Sequence, residues 1–345
     1  MRTRGTILVL LLPLLLLPQP TTAHIPIGGA GETLDTATWV DDPTKSWVAY
    51  TELDDAGEAQ YFRFNITAGT RIDLRLGIPM EAADTSFRPV LVLMGPGLAN
   101  LSTAPSFLEI PEGAGVMVFD NEPEFSEFEG FTPSSFYLVA DKELPAPETA
   151  TYYVAVYEES NPGRYNLVFG WIEAYTFLDW ISIPFNTILV HLWEGQHIGV
   201  ILTPYAMGCI LGLISVFRRD EIRGTKSWKT WLAGVGAALF VGTSFSIAYQ
   251  ALIALIGVPI NALIIVTVLV ILVSIASFYG TFSILKKFEW EASWKNGLMI
   301  IIYGALGLFL WSGYVAGPAL LFIAGLGGMA SSTSGDKPDV HEIIP

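Results

Sequence analysis

Two histidines and one glutamate have a spacing that could support metal chemistry. His191, Glu194 and His197 occur in the stretch HLWEGQH, just before the first long apolar segment. On a helix, residues three apart lie on neighbouring positions of one face, so this spacing could bring two imidazoles and a carboxylate to one metal ion. The alternative is a short amphipathic segment at the membrane surface, with Trp193 as an interfacial anchor.

His24 would be a further ligand if it were the first residue of the mature chain. An N-terminal histidine can bind copper through both its amine and its imidazole, and a second histidine completes such a site. His24 with His191 or His197 therefore supports one hypothesis, a copper-binding protein or copper oxidase. Copper is the one cofactor that these residues suggest.

The order of the N-terminal residues is typical of a secretory signal peptide. Two arginines precede an apolar run at positions 7–17, and small residues follow up to Ala23. The run is shorter than the roughly 20 residues that span a bilayer. We therefore predict that residues 1–23 are removed, that cleavage after Ala23 exposes His24, and that the next domain is exported.

Catalysis is not predicted for the exported half. It has no Gly-x-Ser-x-Gly nucleophile elbow, no Walker loop and no cysteine nucleophile. His24 is its one histidine before Trp180, so a Ser-His-Asp triad lacks a convenient base. We predict no catalytic residue.

The charge of the exported half restricts its partners. Residues 24–184 carry 25 acidic and 7 basic side chains. Such a surface repels phosphates, which argues against nucleic acid and anionic lipid as partners. The acidity favours a solvated surface, and binding of calcium or another cation is the alternative.

Four apolar stretches follow, each close to the roughly 20 residues that a helix needs to cross a bilayer. They cover residues 197–217, 231–256, 259–285 and 297–325. The loops after the first and third stretches are basic, which predicts that both are cytoplasmic. The exported domain and the tail, 331–345, are then predicted to lie outside the cell membrane.

Two features of these stretches leave alternatives open. Small residues four apart, such as Gly208 and Gly212, predict close helix packing, within the chain or in a homo-oligomer. A transporter or channel subunit is a second alternative function. A water-filled cavity would favour this alternative. The residues expected to line such a cavity are Ser246, Tyr249, Gln250 and Asn261.

The exported half is predicted to be a β-sandwich. Six segments alternate or run apolar over short lengths between turn-forming residues, and no helical period is sustained before Trp171. Within one of them Ile72, Leu74 and Leu76 point to one face, which is expected to pack, and the charged residues between them point to the other, which is expected to be exposed to water. The segments are 59–66, 71–78, 89–95, 115–120, 151–158 and 164–171.

Residues 59–78 and 150–170 resemble the opening and closing blocks of the pre-peptidase C-terminal domain family, small β-sandwiches appended to secreted proteins. The family pattern is a strand with Tyr-x-Phe, a glycine turn and a second strand, and later Tyr-Tyr-x-x-Val, a glycine turn and a Tyr-x-Leu strand. The resemblance implies a binding or adjunct module without catalytic residues of its own. The matching positions are Tyr61, Phe62, Gly69, Tyr152, Tyr153, Val154, Gly163, Tyr165 and Leu167.

The sequence as a whole predicts an all-β sandwich ectodomain followed by an all-α four-helix transmembrane domain. The predicted function is non-enzymatic: the acidic sandwich binds an unidentified extracellular partner or ligand at the cell surface. The helices anchor it in the bilayer or assemble it with membrane partners. The boundaries are 1–23 for the signal peptide, 24–170 for the sandwich, 171–196 for an amphipathic interfacial connector, 197–330 for the four spans and 331–345 for the extracellular tail.

Overall fold

The computed structural model provides a description of most of the chain after the predicted signal peptide. Residues 1–23 and the part of the predicted tail after 334 lie outside the described residues. The same is true of Asn261, which was expected to line a wet cavity. The described ranges are 24–80, 86–100, 103–119, 121, 125–130, 132–219, 227–260, 262–287 and 289–334.

The N-terminal region is rich in β-structure and contains two sheets. One has the strand order β1-β3-β11-β5-β9-β8, and the other has the order β2-β4-β10-β6-β7. Two short strands, β1 and β2, pair in parallel with β3 and β4, and the other pairings are antiparallel. The strands are β1 Ile25–Pro26, β2 Thr38–Trp39, β3 Trp47–Leu53, β4 Ala59–Ile66, β5 Arg71–Pro79, β6 Val90–Gly95, β7 Gly115–Phe119, β8 Phe125–Glu129, β9 Ser134–Pro145, β10 Ala150–Tyr157 and β11 Gly163–Phe169.

Side chains from both sheets pack into one hydrophobic core. The rings of Phe62 on β4 and Phe169 on β11 have their centroids 5.5 Å apart. Ile72, Leu74 and Leu76 are buried in the same core, which confirms the predicted alternation along β5. All six predicted segments form strands.

The other face of β5 is not fully exposed to solvent. Asp73 is 3 % exposed and lies 3.0 Å from the guanidinium of Arg71 and 3.7 Å from that of Arg75. The ring of Trp171 stacks on Arg71, with its centroid 4.1 Å from the guanidinium carbon. Because the chain after β11 covers this face, the expectation that all of its charged residues are exposed is wrong for Asp73.

The C-terminal region is helical. Three of its helices, α2, α3 and α4, are long and apolar enough to cross a membrane, and they correspond to the first three predicted spans. A single helical turn, Trp290–Ala292, follows α4. The helices are α1 Phe177–Trp193, α2 Ile198–Phe217, α3 Trp228–Ala254, α4 Ile264–Leu285, α5 Trp294–Phe309 and α6 Ala316–Ser334.

Small residues allow α2 and α3 to approach closely. A β-carbon added to Gly208 would lie 2.8 Å from the α-carbon of Gly242, and one added to Gly212 would lie 2.8 Å from that of Ala238. Gly208 and Gly212 therefore pack within the chain, which is the first of the two alternatives for this motif.

The fourth predicted span, 297–325, is not one helix. It is divided between α5 and α6, which pack as an antiparallel hairpin. The break is possible because Gly313 takes a left-handed conformation, as do Trp311 and Tyr314, and because Pro318 falls in the first turn of α6, where no backbone donor is needed. In the hairpin, a β-carbon added to Gly297 would lie 2.6 Å from the carbonyl oxygen of Gly325.

The tip of this hairpin lies near the middle of α3 and α4. The backbone N–H of Gly313 donates to the hydroxyl of Thr243, in the middle of α3, at 2.7 Å. The hydroxyl of Ser312 hydrogen-bonds with that of Ser274, in the middle of α4. The 16 residues of α5 extend about 24 Å at the helical rise of ~1.5 Å per residue, so the hairpin ends before it reaches the β-rich region.

The opposite end of the helical region brings together the starts of α3 and α5 and the end of α6. Trp290 is buried and donates from its indole to the hydroxyl of Thr230 at 2.9 Å. Lys229 forms an ion pair with Glu291 and donates to the hydroxyl of Ser331 at 2.7 Å. The end of α6 therefore lies beside the loop that precedes α5.

We predict that this loop and the end of α6 face the same side of the membrane. In a Cys209→Ser background, a membrane-impermeant maleimide should label Ser293→Cys and Ser332→Cys from the same side, because the hairpin returns the chain to the end where it began. Glu159→Cys in the β-rich region should be labelled from the other side. Labelling of Ser332→Cys together with Glu159→Cys would contradict the hairpin and would support a single fourth span.

A candidate binding cavity beneath the β-rich region

The connector predicted at 171–196 forms helix α1. Thr176 and Asp179 form a capping box at its start: the Thr176 hydroxyl accepts from the Asp179 N–H at 3.2 Å, and the Asp179 carboxylate accepts from the Thr176 N–H at 2.8 Å. One face of α1 is buried, including Ile183 and Val190. Apolar side chains on its other face are exposed. They are Leu178, Phe185, Leu189 and Leu192.

Helix α1 fills the space between the tip of the hairpin and the β-rich region. The indole of Trp180 donates to the carbonyl oxygen of Leu308 at 3.3 Å. The indole of Trp311, at the tip, donates to the carbonyl oxygen of Trp180 at 2.9 Å, and the two ring centroids are 4.4 Å apart. The first half of α1 is thus attached to the tip of the hairpin, on the side that faces the β-rich region.

The end of α1 is attached to the β-rich region. The indole of Trp193 donates to the carbonyl oxygen of Thr51 on β3 at 3.2 Å. Arg164 on β11 donates to the carbonyl oxygen of Trp193 at 3.2 Å. The carboxylate of Glu194 accepts from the backbone N–H of Ser135 on β9 at 3.2 Å. Three strands therefore hold the point where the chain turns towards α2.

A polar network connects this turn to α3. Glu194 also accepts from Gln196 at 3.3 Å and is 2.9 Å from Nδ1 of His191. The amides of Gln196 and Gln250 form two reciprocal hydrogen bonds, at 2.9 and 3.0 Å. Gln250 is 2 % exposed on a helix that could span a membrane, where an amide needs a partner, and Gln196 provides it.

A cavity of about 50 Å³ lies below this network. Its polar lining includes His191, Thr243, Ser246 and Gln250, all of them buried. Tyr314, at the hairpin tip, also lines the cavity. The other lining residues are Pro133, Ile183, Pro184, Thr187, Ile188, Ile201, Ile247, Val270, Leu310 and Trp311.

A larger and more open groove, of about 350 Å³, lies on the other side of the network. Pro133 and Gln250 line both the groove and the cavity. Junctions between parts of a structure are places where ligand sites commonly occur. The remaining groove residues are Met80, Ser135, Glu194, Gln196, Ile253, Ala254, Ile256 and Gly257.

The structure brings together two of the four predicted metal ligands. His191 and Glu194 are adjacent because both belong to the last turn of α1 or its cap. His197 does not join them, because α1 ends at Trp193 and Gly195 turns the chain with a positive φ. His197 instead caps α2, and its Nδ1 accepts from the N–H of Gly199 at 3.1 Å.

His24 belongs to a separate, partly buried group of polar side chains. Its Nδ1 lies 2.5 Å from the hydroxyl of Ser46. Tyr175 donates to the carboxylate of Glu173 in the same group. Burial lowers the pKa of His24 to about 3, and the charge of Arg75 acts in the same direction. Burial raises the pKa of Glu173 to about 7, against the effect of its hydrogen bonds and of Arg75.

In the part of the chain that the structure describes, no three His, Cys, Asp or Glu side chains are close enough to hold a metal ion. The copper hypothesis therefore stays a prediction. The structure does not bring His24, His191, Glu194 and His197 together at one site.

Sequence reasoning identified part of the cavity. Ser246 and Gln250 were expected to line a cavity, and they do line one, whereas Tyr249 is not among its lining residues. Gln196 and Thr243 were missed. The available signal was the amide of Gln250 in an apolar helix, which predicts that a polar partner lies nearby.

Comparison with models of known protein families finds no match, and comparison with curated proteins finds none either. The resemblance to the pre-peptidase C-terminal domain family therefore rests on the residues quoted above alone.

The buried His24 predicts a pH effect on stability. Because its pKa is about 3 in the folded protein and about 6.5 in the unfolded chain, protonation favours unfolding. Stability should be lost as the pH falls below about 6.5. We expect His24→Gln to remove part of this loss, measured as the midpoint of thermal unfolding between pH 7 and about 4. His197→Gln, at an exposed cap, should leave it unchanged. An identical pH profile for wild type and His24→Gln would contradict this account.

Proposed function

We propose that this protein is a multi-pass membrane protein of the cell surface that binds a ligand and does not catalyse a reaction. In this proposal the two sheets form an acidic β-sandwich outside the membrane. The core that they share supports that arrangement, and so do the three apolar helices, which would anchor the sandwich in the bilayer.

One observation carries the proposal. The buried polar side chains of His191, Thr243, Ser246 and Gln250 line a single small cavity where the β-rich region meets the helices. Polar groups in an apolar helical region are costly unless they have partners, and they are characteristic of sites for ligands. The proposed binding site is therefore at this junction, and the β-rich region contributes to its roof through Pro133.

The geometry favours binding over hydrolysis. A hydrolytic site pairs a base with a nucleophilic hydroxyl within hydrogen-bonding reach. Here His191 is joined to Glu194, and among the described residues it makes no hydrogen bond to the hydroxyl of Ser246 or to that of Thr243, which accepts from Gly313. The cavity thus offers hydrogen-bonding groups to a guest and lacks an activated nucleophile among its described contacts.

Native mass spectrometry of protein purified from its own membranes tests the proposal. We expect wild type to carry a bound small molecule and Ser246→Leu to lose most of it, because the larger side chain fills the cavity. Ser215→Leu is the matched control, since Ser215 is exposed on α2 and its hydroxyl bonds only its own helix at Leu211.

Thermal unfolding must show that Ser246→Leu remains folded, because overpacking costs about 1–3 kcal/mol. Equal occupancy in wild type and folded Ser246→Leu, or no bound molecule in wild type, would contradict a ligand site in this cavity.

A further inference from the structure

The groove and the cavity are separated by a thin polar wall. Gln250 and Pro133 border both spaces, His191 faces the cavity, and Glu194 and Gln196 face the groove. The wall thus consists of side chains from the end of α1, the turn after it and α3.

The direct connection across this wall is the amide pair. Gln196 and Gln250 are joined by two hydrogen bonds, and Gln196 is also bonded to Glu194. Both amides are uncharged, and water can replace the bonds that they exchange at modest cost. Gln196 is partly exposed to the groove, so its side chain can swing away without the movement of a helix.

Packed rings close the cavity at the hairpin tip. Tyr314 lies between Phe185 on α1 and Tyr205 on α2, with ring centroids 6.1 and 4.9 Å away. These rings would have to separate for a guest to enter at this point. Access through the groove requires Gln196 to release its two hydrogen bonds to Gln250 and its bond to Glu194.

The chemistry of the cavity limits the guest. Its histidine, His191, is already joined to Glu194 on the groove side, and its other polar side chains carry hydroxyls, an amide and an indole. No lysine, arginine or unpaired carboxylate lines it among the described residues. At about 50 Å³ it has room for a few water-sized groups.

We propose that the cavity takes a small, uncharged, hydrogen-bonding solute that enters from the groove, and that the Gln196–Gln250 amide pair is the gate. This inference rests on the proposed ligand site and adds the class of ligand, its route and the gating residues.

Cysteine accessibility tests it on the full chain, because Cys209 is the one cysteine of the sequence. In a Cys209→Ser, Ser246→Cys protein, methyl methanethiosulfonate, which is small and uncharged, should react, whereas its sulfonatoethyl analogue, which is charged, should react far more slowly. Adding Gln196→Ala should raise the rate of the uncharged reagent by about tenfold, since both amide bonds are lost.

Two variants serve as controls for the gate. Gln196→Asn, whose shorter side chain cannot reach Gln250, should also raise the rate. Ser215→Ala changes an exposed residue of α2 that lines neither the groove nor the cavity, and it should leave the rate unchanged.

The outcomes separate the two proposals. Reaction at a rate that Gln196→Ala and Gln196→Asn do not change would overturn the gate and leave the cavity accessible. Equal rates for the charged and uncharged reagents would overturn the ligand class. If the thiol reacts with neither reagent in any of these variants but does react after denaturation, both this inference and the proposed ligand site would be overturned.

Discussion

The tip of the α5–α6 hairpin, near the middle of the long helices, is the constraint on which the rest of the structure depends. A non-helical backbone at this depth needs protein partners, because lipid offers none. The N–H of Gly313 donates to the Thr243 hydroxyl, and the N–H of Ser312 donates to the carbonyl oxygen of Gly307. The space above the tip must also be filled by protein. Helix α1 fills it, with Trp180 against Trp311, and so becomes part of the packed structure.

This arrangement explains why the polar groups gather at the junction. Because α1 fills the upper half of the helical region, its last turn meets α3 beneath the β-rich region, and His191 and Glu194 lie near Gln250. The strands then hold that turn through Trp193, so the β-rich region and the helices share one polar network. A ligand in the cavity would contact both parts of the protein at once, because Pro133 and residues of the helices line it together.

Local patterns predicted the elements, and tertiary contacts determined the site. The first three spans and six strands follow from apolar length and from alternation, as in 71–78. The hairpin was missed because 297–325 is apolar throughout and has a length that suits one span, and residue type does not indicate a positive φ at Trp311. The pairing of His191 with Glu194 was predictable from their spacing. The partnership of Gln196 with Gln250 was not, because it joins residues 54 positions apart.

The cavity depends on the contacts at Trp193 and Glu194 that hold the β-rich region against the helices. The most direct measurement is the distance distribution between spin labels at Glu159 in the β-rich region and Ser215 on α2, by pulsed electron paramagnetic resonance in a Cys209→Ser background. The three strand contacts at Trp193 and Glu194 predict a single narrow distribution. A broad or multiple distribution in the folded protein would mean that the β-rich region moves freely, and it would contradict a fixed cavity at the junction.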